Sequence, residues 1–320
     1  MSASSNAPSL PVLRTGTVTT PDGIELFYDE RGPEDGTPLL FIMGLSAQMV
    51  FWPAPLLNAL AERGFRVIRF DNRDVGLSTK LREKITHSPM AAITRATLGL
   101  RVHAPYTLHD MVGDTCALLD ALGIERAHLV GVSMGGMISQ LMAGTRPERV
   151  LSLTSIMSST NSRWLPPPKP AALKTLVGPR VRIENREQYI AFGREMMKRI
   201  GGTLAPGDAL LEQMFGESWE RGLHPRGIRQ QFMAILATGD LTPYVKKIRC
   251  PTTVIHGLAD PLVRPAGGRA SARHIPGARL HLFPGMGHDM PESLLPQIAE
   301  LIDETARRGE KKEGGPASDV

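Results

Sequence analysis

Short apolar segments recur along most of the 320-residue chain, and stretches of mixed polarity separate them. Most of these segments lack strict alternation of apolar and polar residues. That pattern is typical of strands covered on both faces in a parallel sheet. The predicted strands are residues 25–31, 39–43, 66–70, 127–132, 150–157, 252–256 and 279–283.

Helical periodicity fills the gaps between these strands. In residues 52–63, for example, Leu56, Leu57 and Leu60 fall on one side of a helix. Strands that alternate with helices of this length predict an α/β fold with a mainly parallel, doubly wound sheet. The other predicted helices of this part of the chain are residues 108–122, which Gly123 ends, 134–145 and 294–306.

The alternation stops between residues 158 and 247, where three prolines at 166–168 precede a stretch that shows almost only helical periodicity. We interpret this region as a helical cap inserted into the sheet domain. The core would then comprise residues 12–157 and 248–308, with flexible ends at 1–11 and 309–320. The cap is rich in Met, Phe and Trp, and Met adapts to irregular ligands. We expect four of its side chains to line an apolar substrate pocket: Trp164, Met197, Met214 and Phe215.

Composition excludes several classes of protein. With 42% hydrophobic and 22% charged residues, the chain is globular, and no apolar run approaches the roughly 20 residues that span a membrane. The net charge of +5 comes from scattered basic residues without interleaved aromatics, which argues against nucleic-acid binding. The N-terminal residues do not resemble a secretory signal, so we expect a cytoplasmic protein with Cys116 and Cys250 as free thiols.

Residues 131–135 read Gly-Val-Ser-Met-Gly, which fits the G-x-S-x-G pattern of a nucleophile at a strand-to-helix turn. A predicted strand precedes Ser133 and a predicted helix follows it. Such a turn strains the serine backbone and exposes its hydroxyl, and flanking glycines provide the clearance that the crossing chains need. Ser133 is therefore the candidate nucleophile.

A serine hydroxyl needs a base, and the base needs a carboxylate that orients it. Asp260 follows the 252–256 strand, and His288 follows the 279–283 strand. The carboxyl ends of the strands are where ligand chemistry occurs in open α/β sheets, so the sequence predicts a Ser133–His288–Asp260 triad. We exclude Asp289 as the acid because a neighbouring side chain points elsewhere, and we interpret His256 as structural.

A tetrahedral intermediate needs preorganised donors for its oxyanion. We expect one donor to be the backbone N–H of Met134, directly after the nucleophile. The other should come from the loop after the 39–43 strand, where we choose the Leu45 N–H and keep Gly44 as the alternative.

Taken together, these motifs resemble α/β-hydrolases of the single-serine esterase type over about residues 14–308. Residues 42–45 look like the oxyanion loop, with Met43-Gly44 where many members have His-Gly. Residues 71–78 look like the family's Asp-x-Arg-Gly-x-Gly-x-Ser loop, with Asp74 where Gly is commoner, and we expect its charged side chains to be structural. The combination is similar to the branch that contains aclacinomycin methyl esterases.

The resemblance implies hydrolysis of a small-molecule carboxylic ester through an acyl-enzyme, with no metal or organic cofactor. Several alternatives on the same triad stay open: lactonase, perhydrolase, C–C bond hydrolase, acyltransferase and proline-type aminopeptidase. The aminopeptidase would need an acidic cluster in the cap, for which Glu212, Glu217 and Glu220 are the candidates. An alternative of another class is a ligand-binding α/β-hydrolase without catalysis. The sequence contains no indication of an oligomeric state.

Overall fold

The computed structural model describes residues 12–177, 182–204 and 206–313. The predicted flexible N-terminus, residues 1–11, lies outside the described residues, as do residues 314–320 of the predicted tail. The last helix, α11 (Leu295–Glu313), continues past residue 309, so the predicted start of that tail falls inside a helix.

Among the described residues, eight strands, numbered in chain order, form one sheet in the spatial order β1-β2-β4-β3-β5-β6-β7-β8. β2 pairs antiparallel with both β1 and β4, and all other neighbours are parallel. The predicted class, an α/β fold with a mainly parallel sheet, is thus confirmed. The strands are β1 (Arg14–Thr19), β2 (Glu25–Arg31), β3 (Thr37–Ile42), β4 (Phe65–Phe70), β5 (Ala127–Val132), β6 (Val150–Ile156), β7 (Thr252–Gly257) and β8 (Arg279–Phe283).

Helices connect the parallel strands and cover the sheet. Local signals explain where some of them begin and end. In α3 (Leu108–Ala121), a capping box of Thr107 and Asp110 lies at the start, and Gly123 with φ 68° lies just beyond the end. The other helices are α1 (Ala54–Ala61), α2 (Pro89–Thr97), α4 (Met134–Thr145), α5 (Pro170–Val177), α6 (Arg186–Ile200), α7 (Asp208–Glu220), α8 (Pro225–Thr238), α9 (Thr242–Val245) and α10 (Pro265–His274).

The sheet separates two apolar layers. Successive residues of β3 enter opposite layers: Leu40 and Ile42 pack on one face, and Leu39 and Phe41 on the other. Each fully buried side chain of this kind contributes roughly 1.5–3 kcal/mol to folding. Burial on both faces explains why these strands are continuously apolar in the sequence.

In the described part of the chain between β6 and β7, where the sequence predicts the cap, five helices are present, α5 to α9. They share apolar clusters with the sheet domain. Phe215 of α7 belongs to the cluster under β3, and Phe232 and Met233 of α8 pack with Ala92 of α2. The division into core and cap at residues 158 and 247 stays a prediction, but the contacts indicate that these helices are firmly packed on the rest of the fold.

The close approach of α4 to the end of β3 leads to a prediction about stability. A Cβ on Gly135 would overlap the carbonyl oxygen of Ile42, a backbone atom that cannot rotate away. We expect Gly135→Ala to lower the free energy of unfolding by at least about 2 kcal/mol in urea denaturation. Gly113→Ala, in α3 with open space around it, is the matched control and should raise stability by about 0.5–1 kcal/mol. Equal stability of Gly135→Ala and the parent protein would contradict this packing.

Candidate active site

Ser133 lies in the turn between β5 and α4 with φ 54° and ψ −118°. A non-glycine residue at such a positive φ costs about 1–3 kcal/mol and persists only where its surroundings impose it. Three hydrogen bonds do so here. The Ser133 N–H donates to Ile156 O (2.9 Å), and its carbonyl accepts from Met137 N (3.1 Å) and Ser158 Oγ (2.7 Å). The backbone of the candidate nucleophile is therefore fixed from two elements, β6 and α4.

His288 and Asp260 meet Ser133 at the carboxyl ends of the strands. His288 Nε2 lies 3.0 Å from Ser133 Oγ, and His288 Nδ1 lies 2.8 Å from Asp260 Oδ2. The His288 backbone N–H donates to Ile200 O at 2.7 Å, which ties its loop to the end of α6. The structure thus brings the three residues of the predicted triad together in a continuous hydrogen-bonded row.

The Asp260 carboxylate is buried and fully used as an acceptor. Its Oδ1 accepts from the N–H groups of Leu262 (2.8 Å) and Val263 (2.9 Å). Burial raises the pKa of Asp260, but the charge of His288 and hydrogen bonds from His256 and His288 outweigh burial and lower it to about 2. An ionised Asp260 can only accept, so His288 Nδ1 is the donor in the contact between them. When the ring carries only this one proton, Nε2 is the atom that can accept a proton from Ser133.

Two neighbours of the row have different surroundings. The Asp289 carboxylate accepts from Gly202 N (3.2 Å) and Gly287 N (2.9 Å), and burial raises its pKa. His256, interpreted from sequence as structural, is buried with Nε2 2.7 Å from Val263 O and 3.4 Å from Asp260 Oδ2. It therefore contacts the candidate acid, which its position inside a strand did not reveal.

The segment after β3 lies against the nucleophile. A Cβ on Gly44 would stand 3.1 Å from Ser133 Cβ and 3.7 Å from Ser133 Oγ. Within the described part of the chain, the N–H groups of Leu45 and Met134 do not donate a hydrogen bond. Met134 is the first residue of α4, where backbone donors lack an intrahelical partner. The N–H groups of Leu45 and Met134 are thus left without a hydrogen-bond partner in the described chain, and each directly follows a residue, Gly44 or Ser133, of this close contact.

A cavity of 2220 Å³ opens over Ser133 and His288, with mainly apolar walls. All four predicted pocket residues line it, but two of them differ from the expectation. Trp164 is 81% exposed, with the Arg163 guanidinium 4.8 Å from its ring. Phe215 is 1% exposed and packs edge-on against Phe51 at 5.0 Å, so it belongs mainly to the core. Met197 and Met214 are half-buried cavity walls.

The loop at residues 71–78 is held together by its charged side chains, as expected. Asp71 accepts from the Met49 N–H (2.8 Å) and pairs with Arg221 at the end of α7. Asp74 adopts φ 74° in place of the commoner glycine. Its buried carboxyl accepts from the Tyr106 hydroxyl at 2.6 Å and from Leu81 N at 2.8 Å. These bonds compensate the backbone strain at Asp74.

Among residues 12–177, 182–204 and 206–313, no group of three His, Cys, Asp or Glu side chains could hold a metal ion. Cys116 and Cys250 are free thiols. No helix in the described ranges combines the length and apolar character that a membrane span requires.

Comparison with known proteins shows the family to which the chain belongs. The family model described as alpha/beta hydrolase fold matches residues 37–293. The chain belongs to the α/β-hydrolase fold family. Both the fold and the resemblance predicted from the sequence are confirmed by this match and by the relatives described next.

Among the relatives of this α/β-hydrolase, rhodomycin D methylesterase DnrP of Streptomyces peucetius is 26% identical, over 88% of this chain and 95% of that protein. The bifunctional esterase/perhydrolase of Acinetobacter calcoaceticus is 27% identical, over 86% of this chain and 94% of its own. Among solved structures, a hydrolase from Pseudomonas aeruginosa matches with a TM-score of 0.64 at 25% identity, covering 93% of this chain and 99% of that one.

Asp260 and Asp289 should change the dependence of folding stability on acid pH in opposite directions. The folded-state pKa of Asp260 lies below its ordinary 3.8, so its contribution is complete above that pH and is lost as the pH falls from 3.8 towards 2. The folded-state pKa of Asp289 is raised, so its contribution is present at low pH and is lost as the pH rises above 3.8.

Urea unfolding at pH 5 and pH 3 measures both effects. We expect Asp260→Asn to lose less stability between these two pH values than the parent protein, and Asp289→Asn to lose more. Each variant is the matched control of the other because the two side chains are nearby buried carboxyls. Changes of the same sign in both variants would contradict the assigned surroundings.

Proposed function

We propose that this α/β-hydrolase is a carboxylic ester hydrolase that uses Ser133, His288 and Asp260 through an acyl-enzyme intermediate. The observation that carries the proposal is the row of short contacts from Asp260 Oδ2 to His288 Nδ1 (2.8 Å) and from His288 Nε2 to Ser133 Oγ (3.0 Å). This is the arrangement in which an oriented imidazole activates a serine hydroxyl.

In the first half of the reaction, His288 Nε2 takes the hydroxyl proton while Ser133 Oγ attacks the ester carbonyl carbon. The carbonyl oxygen becomes an oxyanion that accepts from the N–H groups of Leu45 and Met134. The intermediate collapses, and the proton on His288 passes to the departing alcohol. The buried Asp260 carboxylate stabilises the imidazolium while it exists.

In the second half, water attacks the carbonyl carbon of the Ser133 ester, and His288 takes a proton from that water. A second tetrahedral intermediate forms at the same two N–H groups. Its collapse releases the carboxylic acid and returns the proton from His288 to Ser133 Oγ. Ester and water have become carboxylic acid and alcohol, and Ser133 and His288 have regained their starting protonation, so the chain needs no cofactor for this reaction.

Similarity supports ester hydrolysis among the chemistries that a triad allows. One relative is named a rhodomycin D methylesterase and another a bifunctional esterase/perhydrolase. The wide, mainly apolar cavity suits a small-molecule ester with a bulky apolar portion. Perhydrolysis, in which hydrogen peroxide replaces water in the second half, is the second candidate because of the esterase/perhydrolase relative. We further propose a cytoplasmic location.

Among the described residues, the acidic cluster that a proline-type aminopeptidase would need is not found at the cavity. Glu212 and Glu220 are exposed and pair with Arg194 (3.3 Å) and Arg186 (3.7 Å). Neither these two nor Glu217 is among the described residues that line the cavity. The three carboxylates are therefore unsuited to hold a substrate amine near Ser133.

The nucleophile can be tested directly. We expect Ser133→Ala to lower kcat on p-nitrophenyl acetate by about 10⁴-fold or more and to abolish labelling by a fluorophosphonate probe. Ser139→Ala is the matched control, since Ser139 is buried in α4 and only donates to Gly135 O at 2.8 Å. Folded parent protein that neither labels nor hydrolyses esters would overturn the proposal and favour a ligand-binding protein without catalysis.

The acid can be tested against its neighbour. Asp260→Asn should lower kcat by about 10⁴-fold, because the amide favours the wrong histidine tautomer. Asp289→Asn should keep kcat within about tenfold, because the Asp289 oxygens face Gly202 and Gly287 rather than His288. The measurement is steady-state kinetics on p-nitrophenyl acetate. A larger loss in Asp289→Asn than in Asp260→Asn would reverse the assignment.

A further inference from the structure

The backbone segment from Met43 to Ser46 is anchored at both ends by buried amide side chains. Asn72 Nδ2 donates to Met43 O at 3.0 Å. At the other end, Gln231 Oε1 accepts from the Ser46 N–H at 2.9 Å, and Gln231 Nε2 donates to Arg73 O at 2.8 Å. Gln231 lies on α8 and is fully buried, so a helix from the predicted cap reaches the loop beside the nucleophile.

The two anchors fix the peptide unit between them. Asn72 holds the peptide unit that joins Met43 to Gly44, and Gln231 holds the unit that joins Leu45 to Ser46. The unit in between carries the Leu45 N–H, which is the proposed oxyanion donor. Ser46 has φ 65°, a backbone conformation that a residue with a Cβ keeps only when its surroundings impose it.

We infer that Gln231 is a positioning residue for the oxyanion site. Its carbonyl oxygen holds the Ser46 N–H, and its amide group is held in turn by Arg73 O, so the Leu45 N–H is aimed before the substrate arrives. This inference rests on the proposed function. An uncharged amide offers an acceptor to the Ser46 N–H and a donor to the Arg73 carbonyl at the same time, which accounts for a polar side chain buried at this point.

The preceding residue provides a matched control. Gln230 is as deeply buried on α8 as Gln231, but neither of its amide atoms has a hydrogen-bond partner among the described residues. Gln230→Met removes an unpaired polar group of similar volume and should leave catalysis unchanged. Gln231→Met makes the same chemical change but removes both hydrogen bonds.

Steady-state kinetics on p-nitrophenyl acetate tests the inference, with active enzyme counted by fluorophosphonate titration. Losing an oxyanion donor costs about 10²–10³-fold, so a misaligned one should lower kcat of Gln231→Met by about 10–100-fold with KM nearly unchanged. The affinity for a trifluoromethyl ketone, which forms an oxyanion when Ser133 adds to it, should fall in parallel. A merely structural role would lower the active fraction instead.

A second variant and a second readout cover poor folding. Gln231→Glu keeps an oxygen for the Ser46 N–H and should retain more kcat than Gln231→Met. Hydrogen exchange of the peptide that spans residues 43–47 should be faster in Gln231→Met than in Gln230→Met. A kcat of Gln231→Met within twofold of the parent, or an equal loss in Gln230→Met, overturns the inference.

These readouts also separate the inference from the proposed function. If the parent protein hydrolyses no ester and takes no label, the proposed function fails, and the positioning of an oxyanion donor fails with it. If the parent is active but exchange at residues 43–47 is the same in both variants, only the role of Gln231 is overturned.

Discussion

The close crossing of β5 and α4 at Ser133 is the constraint on which the site depends. The strained backbone of Ser133 is tolerated because β6 and α4 hold it and because glycines let the two elements approach. A Cβ at Gly135 would overlap Ile42 O, at the end of β3. The same crowding therefore places Gly44, in the segment that continues β3, beside Ser133. The candidate nucleophile and the segment that carries the proposed oxyanion donor Leu45 thus depend on one packing arrangement.

Much of this arrangement is readable from the sequence. Buried parallel strands are continuously apolar, so the sequence predicts β3, β5 and β6 closely. The candidate residues Ser133, Asp260 and His288 follow from the predicted ends of β5, β7 and β8. Elements with weaker signals were missed. β1 is an edge strand with polar residues at most positions, and α10 contains two adjacent glycines, which disfavour a helix in isolation. Both elements form because of tertiary packing, which the local sequence pattern does not show.

The residues around the triad were less predictable, because their roles depend on contacts between distant parts of the chain. Gln231 reaches Ser46 across 185 residues, and nothing in the local sequence distinguishes it from Gln230. Phe215 is a large apolar residue of the kind that often lines a pocket, but most of its side chain is buried in the core, where its ring packs against that of Phe51. Sequence predicts which side chains are apolar and which strand ends carry chemistry, whereas side-chain orientation is set by neighbours that only the fold supplies.

Polar contacts, rather than apolar packing alone, join the helices between β6 and β7 to the catalytic loops. Gln48 Nε2 donates to Ser218 O and Gly222 O, both at 2.9 Å, Arg221 pairs with Asp71, and Gln231 holds Ser46. Hydrogen bonds require defined donor–acceptor distances and angles. The end of α7 and the middle of α8 are consequently held at defined positions against the loops after β3 and β4. The helices that line the cavity thus also hold the segment after β3, so the proposed substrate pocket and the proposed oxyanion site share one framework.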